Sequence, residues 1–253
     1  MASYLITGCS RGLGLELATQ LASSPAVNTV FATARKESPG LKELIQKSNG
    51  RVVLVQLEAT SQDSIKQAVT SVEKALGGKG LDVLINNAGI MDYTPGGPSS
   101  LSGEDMNSVL TTNVTAVHLV ISAFLPLLEK GNLKKIVNIT STLGSIAMAE
   151  GFLQSPSVAY KVSKAALNML TVQYAFQLGK QGFTVFCISP GWLKTELGGV
   201  DYADLEVGVG ATAVLEKVLG AKKEDNGTFM NIKVKGWDNT GTANQYDGVN
   251  PPW

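Results

Sequence analysis

The chain has 253 residues, enough for one α/β domain with a sizeable core, and its 21 basic residues balance 21 acidic ones. No long run of one sign points to nucleic acid or an anionic membrane as partner, and no stretch of about 18 uninterrupted apolar residues points to a membrane span. One histidine, His118, and two cysteines, Cys9 and Cys187, supply neither a Ser-His-Asp arrangement nor a metal-ligand cluster, so no metal is expected.

The first strand-like run is Ser3–Thr7, early enough that no secretory signal is expected. It leads into Gly8, Gly12 and Gly14, spaced Gly-x-x-x-Gly-x-Gly, and then into a helical pattern over 13–23 with Leu13, Leu17 and Leu21 on one face. Strand, glycine turn and helix in that order form a cradle for a pyrophosphate. Gly8 permits a sharp turn, Gly12 lets backbone approach the phosphates, and Gly14 lets the helix pack close to the sheet, with the phosphates over the helix N-terminal amides. Glycines needed only for packing would leave the same pattern.

Further strands are expected at Thr29–Ala34, Val52–Leu57, Val83–Asn86, Ile136–Ile139, Thr184–Ser189 and Thr228–Lys233, with helices over about 62–76, 103–128, 158–179 and 207–219. Most of the strands are continuous Val- and Ile-rich runs, as in sheets covered on both faces. The alternation predicts an α/β, doubly wound Rossmann-type fold: a seven-stranded parallel sheet flanked by helices, with residues 1–253 as a single domain. Thr94–Ser102, rich in Pro, Gly and Ser, reads as a loop. The thiols fall in a glycine turn and an apolar strand, which suits free cysteines, a reducing compartment and a cytoplasmic location.

Ligands in such sheets bind beyond the carboxyl ends of the strands. There the chain places Asn86-Asn87-Ala88-Gly89, small enough for a flat ligand to approach, and Thr140-Ser141, whose hydroxyl either faces the cleft or bonds its own turn. Tyr160 is the only one of six tyrosines followed four residues later by a lysine, Lys164. On a helix both project from one face, and an ammonium there lowers the phenol pKa, giving an acid for a carbonyl oxygen or a base for an alcohol. Asn113 sits at the margin of an apolar stripe, where a buried amide must be hydrogen-bonded; it holds a water, kinks the helix near the cleft, or bonds the helix backbone. His118 has no partner cluster and reads as structural.

These motifs, in this order and beside these elements, resemble the short-chain dehydrogenase/reductase family over nearly the whole chain. The match comprises Thr7 to Gly14, Asn86 to Gly89, Asn113, Ser141, Tyr160 with Lys164, and Pro190-Gly191 followed by Thr195. The resemblance implies that Tyr160 is the catalytic acid/base, Ser141 steadies the substrate oxygen, Lys164 holds the nicotinamide ribose, and Asn113 positions a water. It implies cofactor contacts from Gly8, Ser10, Arg11, Gly12, Leu13 and Gly14, from Asn87, Ala88 and Gly89, and from Pro190, Gly191, Trp192 and Thr195. Within the family the chain looks most like the C-factor-type and norsolorinic acid ketoreductase-type branch. The support is Pro190 to Gly199, the closing Tyr246-Asp247-Gly248 and Pro252-Trp253, and a 19-residue gap between Ser141 and Tyr160. That gap is longer than usual, and Met148 to Pro156 is expected to form a loop over the substrate side.

An NAD-selective member has a carboxylate where this chain has Ala34; Arg35 follows, suited to a 2′-phosphate, and Arg11 reaches the same region. NADP(H) is therefore the expected cofactor. Glu58-Ala59 departs from the family's usual Asp, so its adenine contact is open. Two functions follow: NADPH-dependent reduction of a bulky apolar or aromatic carbonyl compound, or NADP(H) binding in a non-redox role such as signalling or steering a cyclisation or rearrangement. Leu143, Phe152, Leu153, Trp192 and Leu197 are the expected pocket lining, and Glu196 to Val207 the expected lid. Relatives imply a possible homodimer or homotetramer through helices 103–128 and 158–179.

Overall fold

A computed structural model describes every residue from Met1 to Trp253. Its sheet has seven strands, all parallel: β1 (Ala2–Ile6), β2 (Val27–Ala34), β3 (Val52–Gln56), β4 (Val83–Asn86), β5 (Lys135–Ile139), β6 (Thr184–Ser189) and β7 (Phe229–Asn231). The order across the sheet is β3-β2-β1-β4-β5-β6-β7. It reverses between β1 and β4, and a crevice for a ligand opens where connections leave to opposite faces.

Alternate strand residues feed two apolar layers. On one face Tyr4, Ile6, Val30, Ala32, Ile85 and Phe186 meet α1 (Gly12–Ser23), α2 (Pro39–Lys47) and α7 (Val207–Gly220). On the other, Leu5, Phe31, Leu84, Ile136 and Val185 meet α3 (Gln62–Leu76), α5 (Ala116–Glu129) and α6 (Val158–Leu178). Both faces are covered, which is why the strands read as unbroken apolar runs.

Three differences from the expected elements have local causes. Helix α2 was not anticipated, although Ser38 caps it by accepting from the Leu41 amide at 3.3 Å and Pro39 stands in its first turn. β7 is shorter than Thr228–Lys233, because the chain beyond it pairs with the C-terminal segment: Val234 N donates to Tyr246 O and Gly248 N to Ile232 O. The expected helix 103–128 is α4 (Gly103–Leu110) and α5 joined by one π turn, Thr111–Thr115, in which the Ala116 amide reaches back to Thr111 O. Such turns are rare and concentrate at functional sites.

The Gly103–Glu129 run passes the length and hydropathy criteria for a membrane span. Here its apolar stripe, Val117, Val120, Ile121, Phe124, Leu127 and Leu128, lies buried in the core.

Phe124 has no exposed surface. Phe124→Ala should lower unfolding stability by about 3–5 kcal/mol, read as a reduced urea midpoint at unchanged slope, because both transfer energy and a cavity are involved.

Candidate active site

The glycine turn after β1 is held by the turn after β4. The Thr7 hydroxyl accepts from the Asn87 and Ala88 amides at 2.9 and 3.0 Å, and the Asn87 side chain donates to the carbonyls of Thr7 (2.9 Å) and Gly8 (3.3 Å). Gly8 has φ of 75°, and a Cβ there would stand 3.0 Å from Ala88 Cα. A Cβ at Gly14 would fall on the Gly8 carbonyl oxygen. Both positions need glycine because two turns share one narrow crevice. Leu13 points into the core, so only its backbone can serve a ligand, and Ser10 uses its carbonyl to accept from Ser38 at 2.6 Å.

This turn fits the phosphates of a dinucleotide. Arg11, extended, precedes α1; no side chain caps the helix and no acidic residue stands in its first turn, so its amides are left for an anion. Beyond β2, Ala34, Arg35, Lys36, Glu37, Leu54 and Gln56 line an open groove. No carboxylate stands at the end of β2, and Arg35 is largely exposed. Glu58 turns its carboxylate to Arg35 at 3.8 Å and accepts the Thr60 hydroxyl at 3.0 Å.

On the other side of the crevice the polar groups converge. Asn113, buried in the π turn, accepts from Ile90 N (2.9 Å) and donates to Ile90 O (2.8 Å) and Ser163 Oγ (2.9 Å). Both of its amide hydrogens and one acceptor site of its carbonyl oxygen are therefore taken by protein. This ties the loop after β4 to α6. A Cβ on Gly89 would lie 3.2 Å from Asn113 Oδ1 and 3.8 Å from Lys164 Nζ, which brings Gly89, Asn113 and Lys164 into one cluster. Ser141 follows β5, with its hydroxyl accepting from the Leu143 amide at 3.2 Å and lying close enough to the Tyr160 phenol to lower its pKa.

Tyr160 and Lys164 share one face of α6, as the spacing requires, and both are buried. Lys164 Nζ lies 5.3 Å from the Tyr160 ring centroid and donates to Ile139 O at 2.8 Å. The expected lowering of the phenol pKa is not what the structure shows. Burial pushes the Tyr160 hydroxyl up to about 12, and the Ser141 hydrogen bond pulls it only partly back. Burial also brings the Lys164 ammonium down to about 8. Desolvation is the leading cause for both and acts against the charged form of each.

After β6, Pro190-Gly191 leads into a closed loop. Leu193 and Leu205 form a parallel bridge, the Trp192 amide donates to Tyr246 OH at 3.1 Å, and Tyr246 OH donates to Asp204. The Trp192 indole donates to Gly198 O at 2.6 Å, and Thr195 Oγ1 accepts from the Gly198 amide at 3.1 Å. The first residue of the expected lid reaches the glycine turn, Glu196 pairing with Arg11 at 3.0 Å, and just before it Thr195 Cγ2 is 3.3 Å from where a Gly12 Cβ would stand. Arg11 and Arg35 thus face different carboxylates.

The loop 148–156 contains a 3-10 turn, Ala149–Phe152, and Lys161 Nζ clamps it through Phe152 O (2.6 Å) and Ser155 O (2.9 Å). Leu143 and Phe152 are partly exposed and Trp192 is exposed, while Leu153, 73 % exposed, stands in solvent. The closing residues meet the start of this region: Ser145 donates to Pro252 O, Ala147 N to Trp253 O.

Two polar residues of the site escaped the sequence reading. Ser163 bridges Asn113 and Tyr160 O, the latter at 2.7 Å. Asp92 accepts from the Tyr160 amide at 2.8 Å across 68 residues of chain, a separation that no local pattern reveals. His118 bonds Tyr174 OH at 2.7 Å, away from this cluster.

The sequence matches the short chain dehydrogenase family over residues 3–205. It is 35% identical over 206 residues to the short-chain dehydrogenase/reductase atnB of an Arthrinium species, covering 78% of this chain and 76% of that one. Among solved structures it resembles the NADPH-bound carbonyl reductase from chicken fatty liver (TM-score 0.88, 32% identity, 100% of this chain and 94% of that one). It also resembles the carbonyl reductase Sniffer of Drosophila melanogaster (TM-score 0.85, 28% identity, both chains fully covered).

With its pKa raised, Tyr160 keeps its proton well above neutrality. Wild type and Tyr160→Phe should therefore show the same rise in near-ultraviolet phenolate absorbance up to about pH 10. One tyrosine's worth of missing absorbance in the mutant below that pH would contradict the buried, neutral phenol.

Proposed function

We propose that this chain, which belongs to the short-chain dehydrogenase/reductase family, is an NADPH-dependent carbonyl reductase converting a bulky apolar or aromatic ketone or aldehyde to the alcohol. One observation carries the proposal: Tyr160 and Lys164 lie buried on one face of α6, with Lys164 Nζ 5.3 Å from the phenol ring centroid, at the crevice where the glycine turn opens.

A reduced nicotinamide, when bound, supplies the hydride. The chain's own residues do the rest. Ser141 holds the substrate oxygen, and Tyr160 gives it a proton. A phenol whose pKa is raised is in its acid form at neutral pH, which suits reduction; oxidation of an alcohol needs the phenolate and so is favoured by alkali. Lys164, buried close to the ring, stabilises the phenolate left behind and is placed to bond the nicotinamide ribose. The Asn113 amide is occupied by Ile90 and Ser163, so a relay water there would be held by the backbone of the π turn.

Selectivity for NADPH rests on Ala34, Arg35 and Lys36 at the groove. A 2′-phosphate would compete with Glu58 for Arg35, an exposed pair weak enough to open. The NADPH-bound chicken carbonyl reductase supports the same choice. Partly exposed Leu143 and Phe152 and exposed Trp192 and Leu197 support an apolar substrate. The complete set of Asn113, Ser141, Tyr160 and Lys164 counts against a purely non-redox role.

NADPH oxidation should be measured with a panel of ketones, aldehydes and aromatic quinones. Turnover should fall by at least about 100-fold in Tyr160→Phe, within the range for loss of an acid catalyst; unchanged turnover would refute the tyrosine's role. Ala34→Asp should shift preference from NADPH towards NADH by about tenfold or more, as a carboxylate repels the phosphate and accepts from the ribose. The wild-type reaction should run as reduction near neutral pH, with alcohol oxidation by NADP⁺ still rising at about pH 9.

A further inference from the structure

Helix α6 carries Tyr160 in its first turn, yet nothing local caps that turn. Ser157, at the cap position, makes no capping bond; its hydroxyl is paired with Ser155 Oγ at 2.8 Å, and no acidic residue stands in the first turn. The cap comes from elsewhere. Asp92 Oδ1 accepts from the Tyr160 amide at 2.8 Å and Oδ2 from the Ala159 amide at 3.2 Å, the second and third helical residues, where an N-cap side chain normally bonds. Thr94 Oγ1 donates to the same carboxylate at 2.6 Å.

Asp92 lies three residues beyond Gly89, and the short segment between the turn and Thr94 is gripped at alternate positions. Ile90 is held through both backbone groups by Asn113, Asp92 holds the α6 amides, and the Thr94 amide donates to Pro156 O at 2.6 Å. A local Ser or Asp cap would have started the helix equally well. Capping from the loop after β4 does something more: it links the backbone carrying the acid to the backbone lining the crevice.

We propose that Asp92 is a positioning residue, which sets Tyr160 relative to the Asn87–Gly89 turn by capping α6 from that turn's own loop. The proposal rests on the reductase reading for its effect on rate, and on geometry alone for the link. Burial pushes the Asp92 carboxyl up, but the bonds from Thr94, Tyr160 and Ala159 together hold it below the ordinary carboxylate value, so it is ionised at neutral pH. Its charge acts across the same turn on Lys161, partly offsetting the burial that lowers that ammonium. A misplacement of about 1 Å between reacting groups costs on the order of 100-fold in rate, so the link bears on kcat rather than on binding.

The test compares wild type, Asp92→Ala, Asp92→Asn and the double variant Asp92→Ala with Ser157→Asp, which restores a cap locally without restoring the link. Carbonyl turnover, NADPH affinity by fluorescence, thermal melting and amide hydrogen exchange are read on each. Asp92→Ala should lose about tenfold or more in kcat, with KM and NADPH affinity within about twofold, and Asp92→Asn, keeping one acceptor, should fall between. The double variant should regain the melting temperature and the protection of Ala159 and Tyr160, but neither kcat nor the protection of the Thr94 amide. A kcat for Asp92→Ala within about twofold of wild type, or one restored together with melting in the double variant, would overturn the proposal. If wild type reduces no carbonyl in the panel, the reductase reading fails on its own. Exchange then decides: faster exchange at Ala159, Tyr160 and Thr94 in Asp92→Ala supports the link, and unchanged protection sinks it.

Discussion

A parallel sheet has to be covered on both faces, and that constraint organises the rest of the molecule. Every strand points the same way, so all the carboxyl ends lie on one edge, and the reversal of order between β1 and β4 opens that edge into a crevice. The glycine turn, Asn86–Gly89, Ser141 and Pro190 come from distant parts of the sequence and meet there because each follows a strand. The helices that cover the faces also supply the two pieces the strand ends lack: the Asn113 π turn, and α6 with Tyr160 and Lys164.

Under the crevice the apolar layers give way to paired polar groups. Asn86 donates to Asn138, Asn138 to Thr171, and Thr140 to Asn168, all of them buried. Buried amides and hydroxyls are costly when unpaired, so a network of this kind restricts the sheet and α6 to one relative placement. The same logic operates one layer higher, where Thr7, Asn87 and Asn113 hold loop backbone and Asp92 holds the first amides of α6. Asn87 and Asn113 thus have positioning roles in the fold, whatever contact they make with a ligand.

Charge in this site is governed by desolvation. Tyr160 and Lys164 are close, yet each is buried, so the phenol is held protonated and the ammonium is made easier to deprotonate. At the crevice mouth the balance differs. Arg11–Glu196 and Arg35–Glu58 are exposed pairs, worth little in stability, so both arginines can change partner at small cost.

The fold class, the strand ends, the glycine cradle and the Tyr160–Lys164 face were legible from sequence, because each depends on a short-range period or on one residue's backbone freedom. Helix α2 carried readable signals in Ser38-Pro39 and in Leu41, Leu44 and Ile45, at helical spacing. Other features depended on contacts that sequence order does not encode. β7 ended early because the C-terminal segment took over its pairing, and Leu153 faced solvent because Lys161 pinned the neighbouring carbonyls. The spacing of Tyr160 and Lys164 determined that they are neighbours; only the packing around them decided that burial, not their mutual attraction, sets the direction of the phenol's pKa, since desolvation is a property of everything that surrounds a group. Asp92 shows the same division: its sequence neighbours mark a loop, and its capping of α6 exists only because the sheet brings that loop to the helix's first turn.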